Sequence, residues 1–239
     1  MITKLTDVER KKIFELSQQC LREDSDDAKE ALKYLKETRG LSDDIITKFK
    51  FGYIAQRSRH DWAGRLIMPL EDPYGNLIVL TTRDFRTKDP NLKPHLHEVF
   101  EKRRYLYGLS VAKQHIIKTQ KAIIVEGQFD TTVLHTYGFE MTVGVLGSAF
   151  SFDHVCLLRR YCKEIYFMFD SDDAGDASRN RIMELYREKC LSSFDVSFIP
   201  VRLPAPSGSK VDPDDFIKAN GRKALLEVLK QSKIESQLS

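Results

Sequence analysis

An α/β chain in three successive parts is predicted: an N-terminal α+β segment, a Rossmann-like segment on a mostly parallel sheet, and a short C-terminal helical segment. Three observations predict it. After Lys121 short apolar strands alternate with amphipathic stretches, an order that requires crossovers and hence a parallel sheet. Before Tyr107 two strand-like runs flank a turn signal, the mark of an antiparallel hairpin. From Pro213 to Gln231 a helical pattern takes over.

Residues 6–22 and 27–38 are predicted helices, with Leu16, Leu21, Ala28, Ala31, Leu32 and Leu35 recurring at three- and four-residue steps. Arg39-Gly40 stops the second, and Ser42 is placed to cap a short helix through Lys48 with Asp43 and Asp44 in its first turn. Residues 65–70 and 77–82 are strand-like, and Asp72-Pro73-Tyr74-Gly75-Asn76 carries Pro and Gly where a tight reversal wants them. Residues 86–104, polar and interrupted by Pro90 and Pro94, are expected to form a long functional loop. Strands follow at 122–125, 142–146, 164–169 and 194–201, separated by helical stretches 128–137, 151–162 and 174–190. A Pro/Gly/Ser-rich loop, 204–210, precedes helices from 213 to 231. The resulting divisions are a basic α+β part (1–118), the parallel-sheet part (119–203) and an acidic loop with a helical tail (204–239).

With 239 residues, 41% hydrophobic and 31% charged, the chain can fill a core and disorder is not expected. No apolar run approaches the ~20 residues that cross a bilayer. Residues 1–21 are charged throughout, without an apolar signal core, so a cytoplasmic protein with no membrane partner is expected. Cys20, Cys156, Cys162 and Cys190 form no C-x-x-C pair, which argues against structural zinc and disulfides and for reduced thiols. Charge is uneven. Residues 1–47 carry 9 basic and 11 acidic side chains, 48–118 carry 14 and 7, and 119–239 carry 15 and 17. A basic middle beside an acid-rich end suits a polyanion surface next to a metal site; a solvated surface with chance clustering is the other reading.

Three acidic groups fall at strand ends: Glu126 and Asp130 in Glu126-Gly127-Gln128-Phe129-Asp130, then Asp170-Ser171-Asp172-Asp173, then Asp212-Pro213-Asp214-Asp215. In an open parallel sheet, ligands bind beyond the carboxyl ends of the strands. Carboxylates delivered there from three segments form a hard oxygen site for Mg²⁺ or Mn²⁺. Asp170 and Asp172, at i and i+2, point the same way on extended backbone. The alternative is helix capping, since Asp at a strand-to-helix junction satisfies free N–H groups. Three such clusters on one rim repel each other unless a cation is bound.

The series Val125-Glu126-Gly127-x-x-Asp130, Phe169-Asp170-x-Asp172-x-Ala174-Gly175 and Asp212-Pro213-Asp214 resembles the Toprim domain shared by DnaG-type primases, topoisomerases and some nucleases. Upstream, Tyr34-Leu35 through Arg39-Gly40-Leu41-Ser42, Phe51-Gly52-Tyr53, Arg65–Leu70, Gly75-Asn76, Arg83 and Phe100–Leu109 resemble the DnaG-type primase catalytic core in the same order. The likeness runs over roughly residues 28 to 230. It implies a catalytic role for Glu126, Asp170 and Asp172, and a metal rim of those three with Asp130, Asp212 and Asp214. It also implies nucleotide or DNA binding by Arg39, Arg65, Arg83 and Lys102, with Arg103 and Arg104 adding charge. Guanidinium groups suit phosphate because their planar donors pair twice.

Tyr105 and Tyr107 are expected to pack beneath the loop rather than stack on bases, Trp62 and Phe85 are core candidates, and His95 and His97 are solvated polar residues without a third ligand. Ser148 lies in the small-residue turn after the second parallel strand, either near phosphate or capping a helix. Ser171 stands where the family often has glycine, and Lys93-Pro94 reverses a family Pro-Lys pair. The resemblance implies a DNA primase making short RNA primers on single-stranded DNA from ribonucleoside triphosphates with Mg²⁺ or Mn²⁺, in a bacterial cell or phage-infected host. The family's zinc-binding and helicase-binding domains are not recognisable in the sequence, so a zinc-binding protein or replicative helicase is expected as partner in trans. The competing readings are a Toprim nuclease, which has no need of the series from Arg39 to Leu109, and an inactive replication-fork binding module.

Overall fold

The computed structural model describes residues 5–86, 95–147, 150–171, 175, 177, 179–180, 182, 184, 195–205 and 210–238. Asp172, Lys93 and Ser148, and much of the helix expected at 174–190, lie outside the described residues. The chain forms two compact units, Met1–Glu101 and Lys102–Ser239.

In the first unit, α1 (Asp7–Leu21) starts at a capping box: Thr6 N–H donates to Glu9 at 2.8 Å and the Thr6 hydroxyl oxygen accepts from Glu9 N–H. Its buried face is Arg10, Ser17, Cys20 and Leu21. Leu16 lies off that face and is 46% exposed, unlike the core position its spacing suggested. α2 (Asp26–Lys33) buries Ala28 and Ala31, then passes into a five-residue π-helical turn, Tyr34–Thr38, rather than running as one α-helix. α3 (Asp43–Lys48) is capped by the Ser42 hydroxyl.

Four antiparallel strands follow, in the order β1 (Gly52–Tyr53), β2 (Leu66–Glu71), β3 (Leu77–Arg83) and β4 (His95–His97). The β2–β3 reversal forms because the Asp72 carboxylate accepts from Tyr74 N–H (2.8 Å), Asn76 N–H (3.0 Å) and the Asn76 side chain (2.8 Å), while Gly75 adopts φ 88°. Ile54, Trp62, Ile67 and Leu80 form the local core. Phe85 is only half-buried, against the rings of Tyr34 and Tyr53 with Arg86 over its face. The expected loop 86–104 contains β4 and a 3₁₀ turn, Lys102–Arg104.

The second unit begins with that turn and α4 (Leu109–Thr119). It therefore starts before residue 119, because Leu109, Ala112 and Ile116 enter the same core as Ile124, Val143, Ile165 and Phe167. Its parallel sheet has the order β6 (Thr142–Gly144), β5 (Lys121–Val125), β7 (Glu164–Met168), β8 (Ser197–Val201). α5 (Gln128–Thr136) crosses from β5 to β6, and α6 (Phe152–Leu158) from β6 to β7. Phe167 stacks on Phe198 at 5.6 Å and meets Phe150 edge-on at 5.0 Å. Burial of each such ring is worth roughly 1.5–3 kcal/mol. α7 (Pro213–Leu238), kinked at Gly221 (φ 76°), belongs to this unit and not to a separate tail.

Candidate active site

The parallel sheet fixes the first acidic groups by direction alone. β5 ends at Val125, so Glu126 stands on the carboxyl-end rim and Asp130 in the first turn of α5. β7 ends at Met168, which puts Asp170 on the same rim. The chain beyond β8 returns there: Ser171 donates from its N–H (2.9 Å) and its hydroxyl (3.0 Å) to the Val211 carbonyl. Asp212 then caps α7, its Oδ1 accepting from Asp215 N–H at 2.7 Å. The capping reading is correct for Asp212, and it does not displace the clustering.

Asp130 joins the pieces. Its Oδ2 accepts from Gly127 N–H at 3.0 Å, and the carboxylate also accepts from the Asp214 backbone N–H. Burial pushes the Asp130 carboxyl up to about 7, and the charges of Asp212, Asp170 and Asp214 push the same way, while the Asp214 N–H opposes them. The Asp212 carboxyl is raised too, by burial first, against the Asp215 N–H and with Asp215, Asp214 and Asp170 adding repulsion. Two ammonium groups answer this charge: Lys210 Nζ is 2.7 Å from Asp170 Oδ2, and Lys218 Nζ is 2.6 Å from Asp214 Oδ1.

Asp170 is held through its backbone. Buried Arg179 donates to the carbonyls of Phe169 (3.2 Å) and Asp170 (3.3 Å). Gly175 approaches so closely that a Cβ there would collide with the Asp170 carbonyl oxygen. Among the described residues no three His, Cys, Asp or Glu side chains stand close enough to hold a metal ion. Asp172 lies outside those residues. The donor chemistry nevertheless fits a hard divalent cation: the groups are carboxylates, and they repel one another without one.

The basic residues fall into two sets. In the first unit Arg39, Arg65 and Arg83 gather round His95. Arg83 Nη1 is 2.6 Å from His95 Nε2, and desolvation, then Arg83, Arg39, Arg65 and His97, push the His95 pKa down to about 4. Arg39 Nε donates to the Tyr34 hydroxyl at 2.9 Å across the π turn, and Arg65 reaches Thr82 (3.3 Å) and Asp84 (3.8 Å). Arg83 Nε is buried without a hydrogen-bond partner among the described residues.

The second set is the Lys102–Arg104 turn of the other unit. Lys102 Nζ donates to the Leu146 carbonyl at 3.2 Å, and Arg103 faces Asp153 at 3.6 Å. Beneath it lies His154, fully buried and not singled out by the sequence. Its Nδ1 accepts from Ser151 N–H (3.2 Å), which leaves Nε2–H to donate to the carbonyls of Lys102 (3.2 Å) and Tyr105 (3.1 Å). Burial lowers the His154 pKa, against the pull of those carbonyls. Tyr107 is buried, as expected, and pairs its backbone with Gly144 at 2.8 and 3.0 Å. The only sequence signal for His154 is its place three residues after a helix-capping serine.

Residues 120–199, which hold most of the parallel sheet with Glu126, Asp130 and Asp170, match the Toprim domain family. The chain is 30% identical to the DNA primase of Borreliella burgdorferi, over 84% of this chain and 43% of that one. It is similar in structure to the zinc-binding and RNA polymerase domains of Aquifex aeolicus primase, with TM-score 0.77 and 25% identity over 95% of this chain and 62% of that one. It is also similar to a DnaG primase catalytic domain bound to single-stranded DNA, with TM-score 0.78 and 25% identity over 93% and 77%. The likeness to DNA primases recurs in that of Chlamydia pneumoniae, 31% identical over 86% of this chain and 38% of that one. The chain spans less than half the length of the curated relatives it matches.

Proposed function

We propose that this chain is a DNA primase core that synthesises short RNA primers on single-stranded DNA from ribonucleoside triphosphates. The observation that carries the reading is the gathering of carboxylates from separate segments on one rim: Asp130 after β5, Asp170 after β7, and Asp212 and Asp214 at the start of α7. Glu126, Asp130, Asp170, Asp172, Asp212 and Asp214 would hold Mg²⁺ or Mn²⁺. The bound ion would favour the alkoxide of the primer 3′-hydroxyl and offset charge on the triphosphate. The 3′-oxygen bonds to the α-phosphorus as the α–β bridge breaks and pyrophosphate leaves, with Glu126 taking the hydroxyl proton. Arg39, Arg65, Arg83, Lys102, Arg103 and Arg104 bind template and nucleotide phosphates, and catalysis comes from positioning and electrostatics. A replicative helicase or zinc-binding protein is the proposed partner, in the cytoplasm of a bacterium or phage-infected host. No helix among the described residues is long and apolar enough to cross a membrane.

The test is a denaturing gel of products from single-stranded DNA, four ribonucleotides (one labelled) and Mg²⁺ or Mn²⁺. Short labelled oligonucleotides are expected, reduced about a thousandfold or more in Asp170→Ala, a loss of roughly 4 kcal/mol in barrier lowering. Template shortening without synthesis would replace this reading with a Toprim nuclease.

A further inference from the structure

We propose that Arg103, Arg104, Arg159 and Arg160 form a phosphate-binding track for a single-stranded polynucleotide, running off the carboxyl-end rim along α6. The proposal rests on the nucleic-acid reading above and adds to it two residues, Arg159 and Arg160, and a path. The four arginines line one cleft of about 670 Å³, floored by Cys156 and Leu157, with Asp153 as the one carboxylate among the described residues of its lining. Four guanidiniums against one carboxylate leave that lining at +3, a field that concentrates polyanions.

Topology gives the cleft its direction. α6 starts after the carboxyl end of β6 and finishes ahead of the amino end of β7. Asp153, Cys156 and Leu157 follow the i, i+3, i+4 spacing of one face of α6, and Arg159 and Arg160 lie in the turn that ends it. From Asp153 to Leu158 the helix rises about 7.5 Å, and the turn beyond it extends the row to Arg160. The row is also held in register. His154 Nε2–H donates to the carbonyls of Lys102 and Tyr105, and the Ser151 hydroxyl donates to the Arg103 carbonyl at 3.4 Å. The turn bearing Arg103 and Arg104 is thereby fastened to the helix that leads to Arg159 and Arg160.

The lining favours a strand backbone over a free nucleotide. Among the described residues it contains no aromatic ring on which a base would stack. Arg103, Arg104, Arg159 and Arg160 are exposed rather than enclosed as in a small-molecule pocket. Arginines so placed bind phosphate and position the strand without reading its sequence.

The test measures binding of a fluorescent single-stranded DNA oligonucleotide to the full chain without metal, across a salt series, beside ATP binding. The comparison is between wild type, Arg159→Ala/Arg160→Ala and a control that removes two charges elsewhere, Lys223→Ala/Lys230→Ala. The arginine double variant should bind about tenfold more weakly, and its slope of log K against log salt should be shallower by about 1.4, or ~0.7 for each phosphate no longer neutralised. Its thermal unfolding should match wild type, and Arg159→Lys/Arg160→Lys should recover most of the affinity. Wild-type binding and slope in the arginine variant would overturn the track. So would equal weakening in the lysine control, which would reveal only a general field, or a loss confined to ATP, which would make the cleft a triphosphate site. A wild-type chain that binds no oligonucleotide would overturn the nucleic-acid reading and the track with it.

Discussion

Two carboxylates away from bulk water, buried Glu98 in the first unit and half-buried Asp130 in the second, are met by their surroundings in opposite ways. Glu98 is 1% exposed and fully answered. Arg10 reaches its two oxygens at 3.0 and 2.9 Å, and the N–H groups of Leu80 (3.1 Å) and Leu5 (3.3 Å) donate to the same carboxylate. Among the described residues Asp130 receives two N–H groups but no cation, and it is surrounded by Asp212, Asp170 and Asp214. The first arrangement fastens α1 to the antiparallel sheet. The second leaves charge for a ligand to neutralise. A carboxylate held by a cation of the chain on both oxygens, as Glu98 is, serves the fold, whereas one whose charged neighbours are other carboxylates, as at Asp130, is suited to a ligand.

Deleting each carboxylate tests that distinction. Glu98→Ala strands the Arg10 guanidinium in the interior, and urea unfolding should show about 3–5 kcal/mol lost. A loss below about 1 kcal/mol would reduce the pair to the rank of a surface bridge and break the comparison. Asp130→Asn should have the opposite sign. It keeps an oxygen for the Gly127 N–H and removes one of the mutually repelling charges. The metal-free variant should melt about 2–4 °C above wild type for each kcal/mol relieved, while the rise in Tm on adding Mg²⁺ or Mn²⁺ should shrink. A lower metal-free Tm would show that Asp130 is a structural residue like Glu98.

The smallest effect sharpens the contrast with a group that is buried neutral. The folded-state pKa of His154 lies below its ordinary value, so below about pH 6.5 the unfolded chain binds more protons than the folded one. The stability its clamp contributes is present above that pH and is lost as pH falls towards the lowered value. The difference in unfolding free energy between wild type and His154→Gln should therefore narrow from about pH 7.5 to about pH 5.5, by at most ~1.4 kcal/mol per pH unit. A pH-independent difference would mean that the ring accepts a proton without releasing the Lys102–Arg104 turn.

Much of this was legible from local pattern. The hairpin about Asp72–Asn76, the alternation of strands and helices after Lys121 and the short helix capped by Ser42 each depend on neighbours a few residues apart. So do the positions of Glu126 and Asp170, since a carboxylate next to the end of a parallel strand has only one rim to occupy. Less was legible where a residue's partner is distant in sequence. The expected break near residue 118 fell inside the second unit because nothing local shows that α4 shares a core with β5 and β7. Phe85 met Tyr34 and Tyr53 at a half-exposed position, which its apolar character alone does not reveal. The π turn at Tyr34–Thr38 has no signature in a helical repeat, yet it is what brings Arg39 Nε onto the Tyr34 hydroxyl.

By itself, then, the sequence determined the order of elements, the parallel sense of the second sheet and the residue types offered at its rim, because periodicity and turn chemistry act over short stretches of chain. The tertiary structure alone decided which charges are answered. Arg10 closes on Glu98 from 88 residues away and His154 on Lys102 from 52. Asp130 finds three other aspartates, and Arg39, Arg65 and Arg83 gather round one imidazole. Coulomb energies and desolvation depend on distance and burial in the folded chain, and neither quantity exists until the segments meet.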